Sequence, residues 1–374
     1  MINGDDYTSE QTLIGKSLHR FLPKVEIGHF LSYSTANGPV RVRVEPGGLI
    51  IGRSPPADLQ IPEPNISRRH CRVELAGDGV LLTDLASTNG TFLDGKRLVG
   101  PVLLIPGAQF SAGAISIRYE RRDLSEIAEE AVLAEELKRA EEYVRAILPP
   151  AVTEGKVLAE GCFVPSSKLG GDAFGYQFLD EENFAGFVLD VSGHGIGSAM
   201  LAVNAANLVR RRTLPDVDFR DPSQVARALN QALPMEEHNG LMMTMWCFCY
   251  HLPSRTLSFC AAGHHGAYLM APGDAQPAPV WLRSPAIGMM PTAKYISGTM
   301  QVPEQARLYV FTDGCFELAL PDGEYWSQEG LRDVIKRPPV AGLAEPQRIY
   351  QAVRALARPG PFDDDFSMLV VTFV

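Results

Sequence analysis

Aspartates in the C-terminal part of the chain recur where an apolar run meets a tight turn. They are Asp172, Asp190, Asp313 and the run Asp363–Asp365. Glycine beside a strand terminus lets the backbone approach closely, so such carboxylates can be directed to a shared point. Converging carboxylates repel one another unless hard divalent ions with oxygen ligands, Mg²⁺ or Mn²⁺, bind between them. Two such ions about 3.5–4 Å apart generate hydroxide and hold a phosphoryl group for in-line attack, so the pattern predicts metal-dependent phosphoryl chemistry.

Two other interpretations of these residues stay open from the pattern alone. Aspartate is common wherever a strand ends, so each could be an ordinary turn residue, although the shared context of four positions argues against that. The segment Gly193-His194-Gly195, with Ser198 three positions later, also loosely imitates the G-x-G-x-x-G loop of dinucleotide-binding proteins. The third glycine of that loop is missing, however, and Asp190 would lie beside the pyrophosphate.

The segments that position these aspartates mix strands and helices. Several predicted strands follow one another without an intervening helix, which favours an α+β domain over a doubly wound parallel sheet. The predicted strands are Phe184–Leu189, Met243–Tyr250, Thr256–Ala261, Gly266–Met270, Arg307–Phe311 and Phe366–Phe373, and the predicted helices are Ser198–Arg212, Pro222–Leu233 and Pro346–Leu356.

The order of the motifs in this part of the chain resembles the SpoIIE-like branch of the protein phosphatase 2C family. The resemblance spans residues 145–374 and implies a central β-sandwich flanked by helices (α-β-β-α), with a binuclear Mn²⁺ or Mg²⁺ centre between the sheets. The motifs are GGDAFGY (170–176), LDVSGHGIGSAM (189–200), TLSFCAAGHHGAYL (256–269), YVFTDGCFE (309–317) and DDDFSMLVV (363–371).

The resemblance also implies roles for individual residues. Asp190 would bridge both metal ions, and the backbone carbonyl of Val191 would be a further ligand. Asp172, Asp313 and Asp364 would complete the ligand shells, with catalysis through metal-activated water. Asp364 is chosen from the three consecutive aspartates because the family motif reads Asp-Asp-x-Ser/Thr, and Ser367 sets the register.

One residue departs from the family pattern, and two functions are compatible with His194. Many relatives carry a second aspartate where this chain has Gly175, so an outer-shell group could be absent. His194 is either a general acid or a positioning and capping residue of a glycine-rich turn. His264 and His265 end a predicted strand in a loop, and we expect them to be structural or rim residues.

Residues 26–120 have a different character, with short alternating or apolar runs separated by turn residues. Many short strands at this spacing predict an all-β sandwich. The predicted strands are Val40–Val44, Leu49–Gly52, Cys71–Leu75, Val80–Thr83, Val102–Ile105 and Ala114–Tyr119.

Three turns of this segment carry residues suited to binding phosphate. They are Gly52-Arg53, Ser67–His70 and Ser87–Thr91, and each alone could be a solvated turn. Arginine binds phosphate in a bidentate manner, and hydroxyls add short hydrogen bonds. Together the turns resemble the forkhead-associated (FHA) domain over residues 27–119. The resemblance implies that this domain recognises phosphothreonine and that His70 packs the loop. The residues implied to bind phosphothreonine are Arg53, Ser67, Arg68, Thr88 and Asn89.

Between these two parts lies a segment without glycine or proline, Asp123–Leu148, which predicts a linker helix. Its apolar residues alternate at spacings of four and three, as in a coiled coil, and Pro149-Pro150 ends it. The stripe covers only about two heptads, so it either pairs with a second copy in a homodimer or packs on the phosphatase domain of its own chain. The stripe is Leu133, Leu137, Ala140, Val144 and Ile147.

Composition excludes several other classes of function. The net charge is −10 and the sequence pI about 5.4, which disfavours nucleic acid as a partner. No run of eighteen apolar residues and no secretory signal is apparent, so we expect a cytoplasmic protein without a membrane span. The six cysteines lie mostly in apolar runs, and we interpret them, Cys247 and Cys249 included, as reduced core residues.

The sequence therefore predicts a multidomain signalling protein. We expect an N-terminal extension (1–25), an FHA domain (26–120), a linker helix (121–150) and a phosphatase domain (151–374). The expected activity is removal of phosphate from serine or threonine of a partner protein, such as an antagonist of an anti-sigma factor, with a phosphothreonine-containing partner at the FHA domain. The alternative is a phosphothreonine-reading scaffold whose phosphatase-like domain is catalytically silent.

Overall fold

The computed structural model describes residues 26–35 and 38–374, and the chain divides into two compact units with the boundary between Glu135 and Glu136. The predicted extension, residues 1–25, lies outside the described residues. Among the residues that are described, no helix is long and apolar enough to cross a membrane.

The first unit is a sandwich of two sheets, with strand orders β2-β1-β11-β10-β7-β8 and β4-β3-β5-β6-β9. Alternation along β11 shows why its residues form a strand, since Ile117 and Tyr119 are buried between the sheets while Ser116 and Arg118 are exposed. This arrangement confirms the all-β prediction. The strands are β1 (Ile27–Thr35), β2 (Gly38–Arg43), β3 (Leu49–Gly52), β4 (Leu59–Gln60), β5 (Cys71–Ala76), β6 (Gly79–Asp84), β7 (Thr91–Leu93), β8 (Lys96–Arg97), β9 (Val102–Leu104), β10 (Gln109–Ala112) and β11 (Ile115–Asp123).

Helix α1 (Leu124–Ala146) follows β11 directly. The Asp123 carboxylate accepts hydrogen bonds from the backbone N–H and hydroxyl of Ser125, which satisfies groups left free at the start of the helix. The C-terminal half of the apolar stripe packs on the second unit, where Val144 is buried and Leu137 half-buried. Leu133, in the N-terminal half, is 54% exposed. The C-terminal half of the stripe therefore packs within the chain itself.

The second unit contains two antiparallel sheets, with strand orders β12-β21-β20-β17-β18 and β13-β14-β15-β16-β19. Its strands are β12 (Val157–Val164), β13 (Asp172–Phe178), β14 (Asn183–Val191), β15 (Met243–His251), β16 (Thr256–Ala262), β17 (Ala267–Met270), β18 (Ala278–Val280), β19 (Gly298–Gln301), β20 (Ala306–Phe311) and β21 (Phe366–Phe373). Its helices are α2 (Ile196–Arg210), α3 (Pro222–Ala232), α4 (Gln328–Ile335) and α5 (Glu345–Leu356).

These elements form four layers. Trp246, Phe248 and Val371 belong to a core between the two sheets. A second core joins the sheet of β14 to α2 and α3, and a third joins the sheet of β21 to α4 and α5. The α-β-β-α prediction is confirmed.

Several elements differ from the sequence prediction. In the second unit, strands β12, β13, β18 and β19 and helix α4 were not predicted, and Asp172 begins β13 rather than following a strand. Strand β14 pairs antiparallel with both of its neighbours, β13 and β15, so the dinucleotide-binding interpretation of Gly193–Gly195 is wrong. That loop requires a parallel strand–helix–strand unit.

Candidate functional site

A cleft of about 450 Å³ lies at one edge of the two sheets of the second unit. Of the predicted ligands, Asp190, Asp313 and Asp364 line this cleft, whereas Asp172 lies buried beneath it and is 3% exposed. Val191, whose carbonyl was predicted as a ligand, is also buried beside Asp190. The lining residues are Ser166, Ser167, Asp190, Ser192, Gly193, His194, Asp313, Phe362, Asp363 and Asp364.

The two sheets each contribute a pair of aspartates. Asp172 on β13 and Asp190 on β14 are direct cross-strand partners. On the facing sheet, Asp313 lies in a short 3-10 turn after β20, and Asp364 lies just before β21. Strands β20 and β21 are neighbours, so the two pairs meet at one edge of the sandwich.

Glycine at position 171 allows the backbone to come close to this edge. A Cβ added there would lie 2.8 Å from the Val191 carbonyl oxygen, and Val191 N–H donates to the Gly171 carbonyl at 3.1 Å. A larger residue would push the strand that carries Asp172 away from the strand that carries Asp190.

Burial and mutual repulsion raise the pKa values of these carboxyls. Burial raises the pKa of Asp190 to about 7, with further contributions from the charges of Asp313 and Asp364. The pKa of Asp172 is also raised, first by burial and then by Asp190 and Asp365. Burial likewise raises the pKa values of Asp313 and Asp364.

The donor set of the cleft fits hard divalent cations. Its carboxylates offer oxygen ligands, and none of the described residues that line it is lysine or arginine. In residues 26–35 and 38–374, no group of three or more His, Cys, Asp or Glu side chains lies close enough together to hold a metal ion. The carboxylates instead face an open cleft, the arrangement expected for ions that keep several water ligands.

These raised pKa values predict how stability depends on pH when a chelator is present. The folded state holds the Asp190 proton more tightly than the unfolded chain, in which aspartates have a pKa of about 4. The stability that the Asp190 proton contributes is therefore fully present below about pH 4 and is lost as the pH rises through about 7. We expect the melting temperature in EDTA to fall between about pH 5 and 8, and the fall to disappear with excess Mn²⁺. A melting temperature that rises over this range would contradict the electrostatic description.

The three consecutive aspartates have separate environments. Asp363 pairs with Arg358, and Asp364 accepts a hydrogen bond from the Asp365 N–H at 2.7 Å. Asp365 is buried and accepts from the backbone N–H and the hydroxyl of Ser166, at 2.7 and 3.0 Å. Sequence reasoning selected Asp364 and missed the function of Asp365, which holds the loop that forms one wall of the cleft.

Thr312 is a second residue that sequence reasoning missed. Its hydroxyl is 2.7 Å from Asp172 Oδ2, and the side chain is 1% exposed. Its position directly before Asp313 was the only signal in the sequence, and that position does not indicate a contact with Asp172.

The histidines of the unit have different surroundings. His194 is exposed at the mouth of the cleft, near Asp364, between two glycines with positive φ. His264 and His265 are stacked at 4.2 Å, and His265 also contacts the Phe311 and Phe316 rings. They are packing residues rather than rim residues.

Position 175 has no room for the aspartate of many relatives. A Cβ added to Gly175 would lie 2.6 Å from the Phe187 ring. Strand alternation also turns position 175 to the face opposite that of Asp172. In this chain the Phe187 ring occupies the space next to Gly175.

In the first unit, close backbone contacts bring the predicted phosphothreonine-binding residues together. The Arg53 N–H donates to the Ser67 carbonyl at 2.9 Å, and a Cβ at Gly52 would lie 2.0 Å from the Arg68 carbonyl oxygen. Only glycine fits there. Arg53 and Arg68 are exposed, and within the described part of the chain neither guanidinium forms an ion pair.

The third turn is joined to the second by side chains. Ser67 Oγ accepts from the Thr88 N–H at 3.0 Å, and Asn89 Nδ2 donates to the Asn65 carbonyl at 2.8 Å. His70, fully buried, lies 3.1 Å from both the Ser67 nitrogen and the Gly90 carbonyl oxygen. Asn89 Oδ1 and the two arginines therefore remain available at the surface.

Asp84 supports this turn and was missed from the sequence. Its carboxylate accepts from the N–H and hydroxyl of Ser87 and from the Thr91 hydroxyl. These hydrogen bonds lower the pKa of Asp84, against the effect of its burial. The loop that carries Thr88 and Asn89 is thus held at both ends.

Two protein families match this chain. The stage II sporulation protein E (SpoIIE) family matches residues 180–374, and the FHA domain family matches residues 49–113. Phosphoserine phosphatase RsbP of Bacillus subtilis is 26% identical over 186 residues, which are 49% of this chain and 45% of RsbP. Protein IcfG of Synechocystis is 22% identical over 229 residues, which are 54% of this chain and 35% of IcfG. The chain thus covers less than half the length of either relative.

A solved structure supports the fold of the second unit. The SiaA-PP2C domain of Pseudomonas aeruginosa matches 66% of this chain and 99% of that domain, with a TM-score of 0.56 and 19% identity. At this identity the likeness concerns the fold alone.

Proposed function

The chain belongs to the SpoIIE family, and we propose that it is a metal-dependent phosphatase acting on phosphoserine or phosphothreonine of a partner protein. The observation that carries the proposal is the cleft lined by Asp190, Asp313 and Asp364, with Asp172 buried next to it as the cross-strand partner of Asp190. Carboxylates from two facing sheets converge there at a cost in repulsion that bound cations relieve.

In this proposal Asp172, Asp190, Asp313, Asp364 and the Val191 carbonyl hold two Mn²⁺ or Mg²⁺ ions. Such ions, when bound, supply a water acidic enough to act as a nucleophile near neutral pH and balance the charge of the phosphate. Asp190 would hold the ions together with Asp313 and Asp364, whose charges reach it across the cleft and, after burial, raise its pKa. A cleft without lysine or arginine among its described lining residues leaves phosphate affinity to the ions.

The rim of the cleft orients the rest of the substrate. Ser166 and Ser167 form one side, and Asp365 holds their loop through its hydrogen bonds to Ser166. His194 also lines the cleft, where a protonated imidazole would donate a proton to the departing seryl or threonyl oxygen. Positioning of the loop before α2 is its alternative role.

The FHA domain supplies the proposed input. Arg53, Ser67, Arg68, Thr88 and Asn89 would bind a phosphothreonine-containing partner, with the arginines contacting phosphate and Asn89 the peptide backbone. Support comes from the two unpaired guanidinium groups on joined turns. RsbP is a phosphoserine phosphatase, and we extend that class to this chain, with an antagonist of an anti-sigma factor as the proposed substrate.

The experiment for this proposal is hydrolysis of p-nitrophenyl phosphate by the full chain. We expect turnover with Mn²⁺ or Mg²⁺ and none in EDTA. Full turnover in EDTA would refute the metal-dependent mechanism. No turnover with any divalent ion would favour the other candidate, a phosphothreonine-reading scaffold with a silent phosphatase-like domain.

Helix α1 provides a further test, because its stripe has two environments. Leu137 packs against the core of the second unit, so Leu137→Glu should lower the melting temperature. Leu133 is exposed, so Leu133→Glu should leave the melting temperature unchanged and act only on a homodimer formed through residues 123–148. Light scattering on both variants and the wild type separates these effects. A wild-type chain that is monomeric at micromolar concentration would rule out the dimer.

A further inference from the structure

The buried hydroxyl of Thr312 connects the two sheets of the second unit at the edge of the cleft. Thr312 lies at the end of β20, beside Asp313, whereas Asp172 lies on β13 of the opposite sheet. The 2.7 Å contact between Thr312 Oγ1 and Asp172 Oδ2 is therefore a contact across the sandwich. The two residues are 140 positions apart in the chain.

The geometry assigns a direction to this hydrogen bond. A hydroxyl has one proton, and Thr312 Oγ1 has two acceptors nearby, Asp172 Oδ2 at 2.7 Å and the Asp365 carbonyl at 3.2 Å. The carboxylate oxygen is the closer acceptor, so it receives the proton. The oxygen of the hydroxyl accepts in turn from the Ser367 N–H at 3.2 Å.

Backbone pairing holds Thr312 itself in place. Its N–H donates to the Ser367 carbonyl at 3.0 Å, so Thr312 and Ser367 are bonded to each other in both directions. Ser367 lies three positions after Asp364, and Thr312 one position before Asp313. The hydroxyl that donates to Asp172 is thus fixed to the two segments that carry Asp313 and Asp364.

We propose that Thr312 is a positioning residue that sets the spacing between the two halves of the metal centre. Its hydroxyl holds one oxygen of Asp172 and leaves Oδ1 for an ion, at a distance from Asp313 and Asp364 that the β20–β21 pairing determines. This inference rests on the proposed function, since it concerns the same ions. Without the hydroxyl, no hydrogen bond from the opposite sheet holds Asp172 Oδ2 in place.

The test measures Mn²⁺ binding to the full chain by isothermal titration calorimetry, together with phosphoester turnover against Mn²⁺ concentration. Thr312→Val should weaken Mn²⁺ binding about tenfold or more, as expected for loss of a charge-assisted hydrogen bond. The Mn²⁺ concentration for half-maximal turnover should rise by the same factor. Turnover at saturating Mn²⁺ should stay within about threefold of the wild type, because bound ions then hold Asp172.

Conservative and matched variants separate positioning from packing. Thr312→Ser keeps the hydroxyl and should bind Mn²⁺ within about threefold of the wild type. Thr372→Val makes the same exchange at the far end of β21 and should leave Mn²⁺ binding unchanged. If the valine variant does not fold, Thr312→Ala carries the same expectation, because it removes the hydroxyl without adding a methyl group in its place.

Three results would overturn the inference. Wild-type affinity in folded Thr312→Val or Thr312→Ala would show that the hydroxyl does not position Asp172. Equal weakening in Thr312→Ser, which keeps the hydroxyl, would assign the effect to altered packing rather than to the hydrogen bond. A wild-type chain that binds no Mn²⁺ would refute the proposed function, and this inference with it, whereas the first two results leave the proposed function standing.

Discussion

We expect Asp190→Asn to reduce phosphoester turnover on the order of a thousandfold or more, given that a single electrostatic contact in an active site is worth about 10²–10³ in kcat. Asp190 is half-buried at the cleft and close to Asp313 and Asp364, and its charge is the one that the proposed ions would share. Asparagine keeps the shape of the side chain and removes that charge. The measurement is p-nitrophenyl phosphate hydrolysis over a range of Mn²⁺ concentrations.

Stability separates this loss from unfolding. Removing one of several mutually repelling carboxylates should leave the melting temperature in EDTA equal to or above that of the wild type. Asp333→Asn, the same exchange on the exposed face of α4, is the matched control and should retain full turnover. Activity of Asp190→Asn near the wild-type level would show that the cleft is not the site of chemistry.

The second large effect concerns the first unit, where Arg53→Ala should weaken binding of a phosphothreonine peptide about ten- to a hundredfold. A hydrogen bond to a charged group contributes about 1.5–3 kcal/mol, which corresponds to that range. The Arg53 backbone is held by Ser67, so the substitution removes the guanidinium without releasing the turn. A peptide identified from a phosphopeptide library, titrated by fluorescence anisotropy, gives the affinity.

Turnover of a small phosphoester should not change in Arg53→Ala, because the cleft is built entirely from residues of the other unit. Arg118→Ala, on an exposed position of β11, is the matched control for peptide binding. Equal affinity of the wild type for phosphorylated and unphosphorylated peptides would refute phosphothreonine recognition.

The elements that carry local patterns could be predicted from the sequence. Strand β21 has the predicted bounds, Phe366–Phe373, because a continuous apolar run leaves little choice for a strand buried on both faces. Strand β13 was missed because Gly175 interrupts its apolar pattern, and glycine is depleted in strands. Its place in the sheet depends on Phe187, which fills the space above that glycine.

The supporting contacts of the site could not be predicted, since they join segments that are distant in the chain. Asp365 and Ser166 are 199 positions apart, and no local pattern connects them. A motif register selected Asp364 from three identical neighbours, but it gave no role to Asp365. Short spacings thus indicate which side chains can perform chemistry, whereas packing of the two sheets decides which residues hold them.

The apolar stripe of α1 illustrates the same limit. Its heptad-like spacing is compatible with pairing to another helix or to a domain surface, and the pattern alone does not distinguish them. In the structure the C-terminal half of the stripe packs within the chain, because Val144 is buried in the core of the second unit.

The central claim is that this chain removes phosphate with metal ions held by the aspartate cleft. The most direct measurement determines bound Mn²⁺ per chain and phosphate release from a phosphothreonine or phosphoserine protein on the same samples. We predict that the wild type releases phosphate only as about two ions bind per chain, and that Asp190→Asn loses both properties together. Phosphate release by metal-free wild type, or unchanged release by Asp190→Asn, would contradict the account.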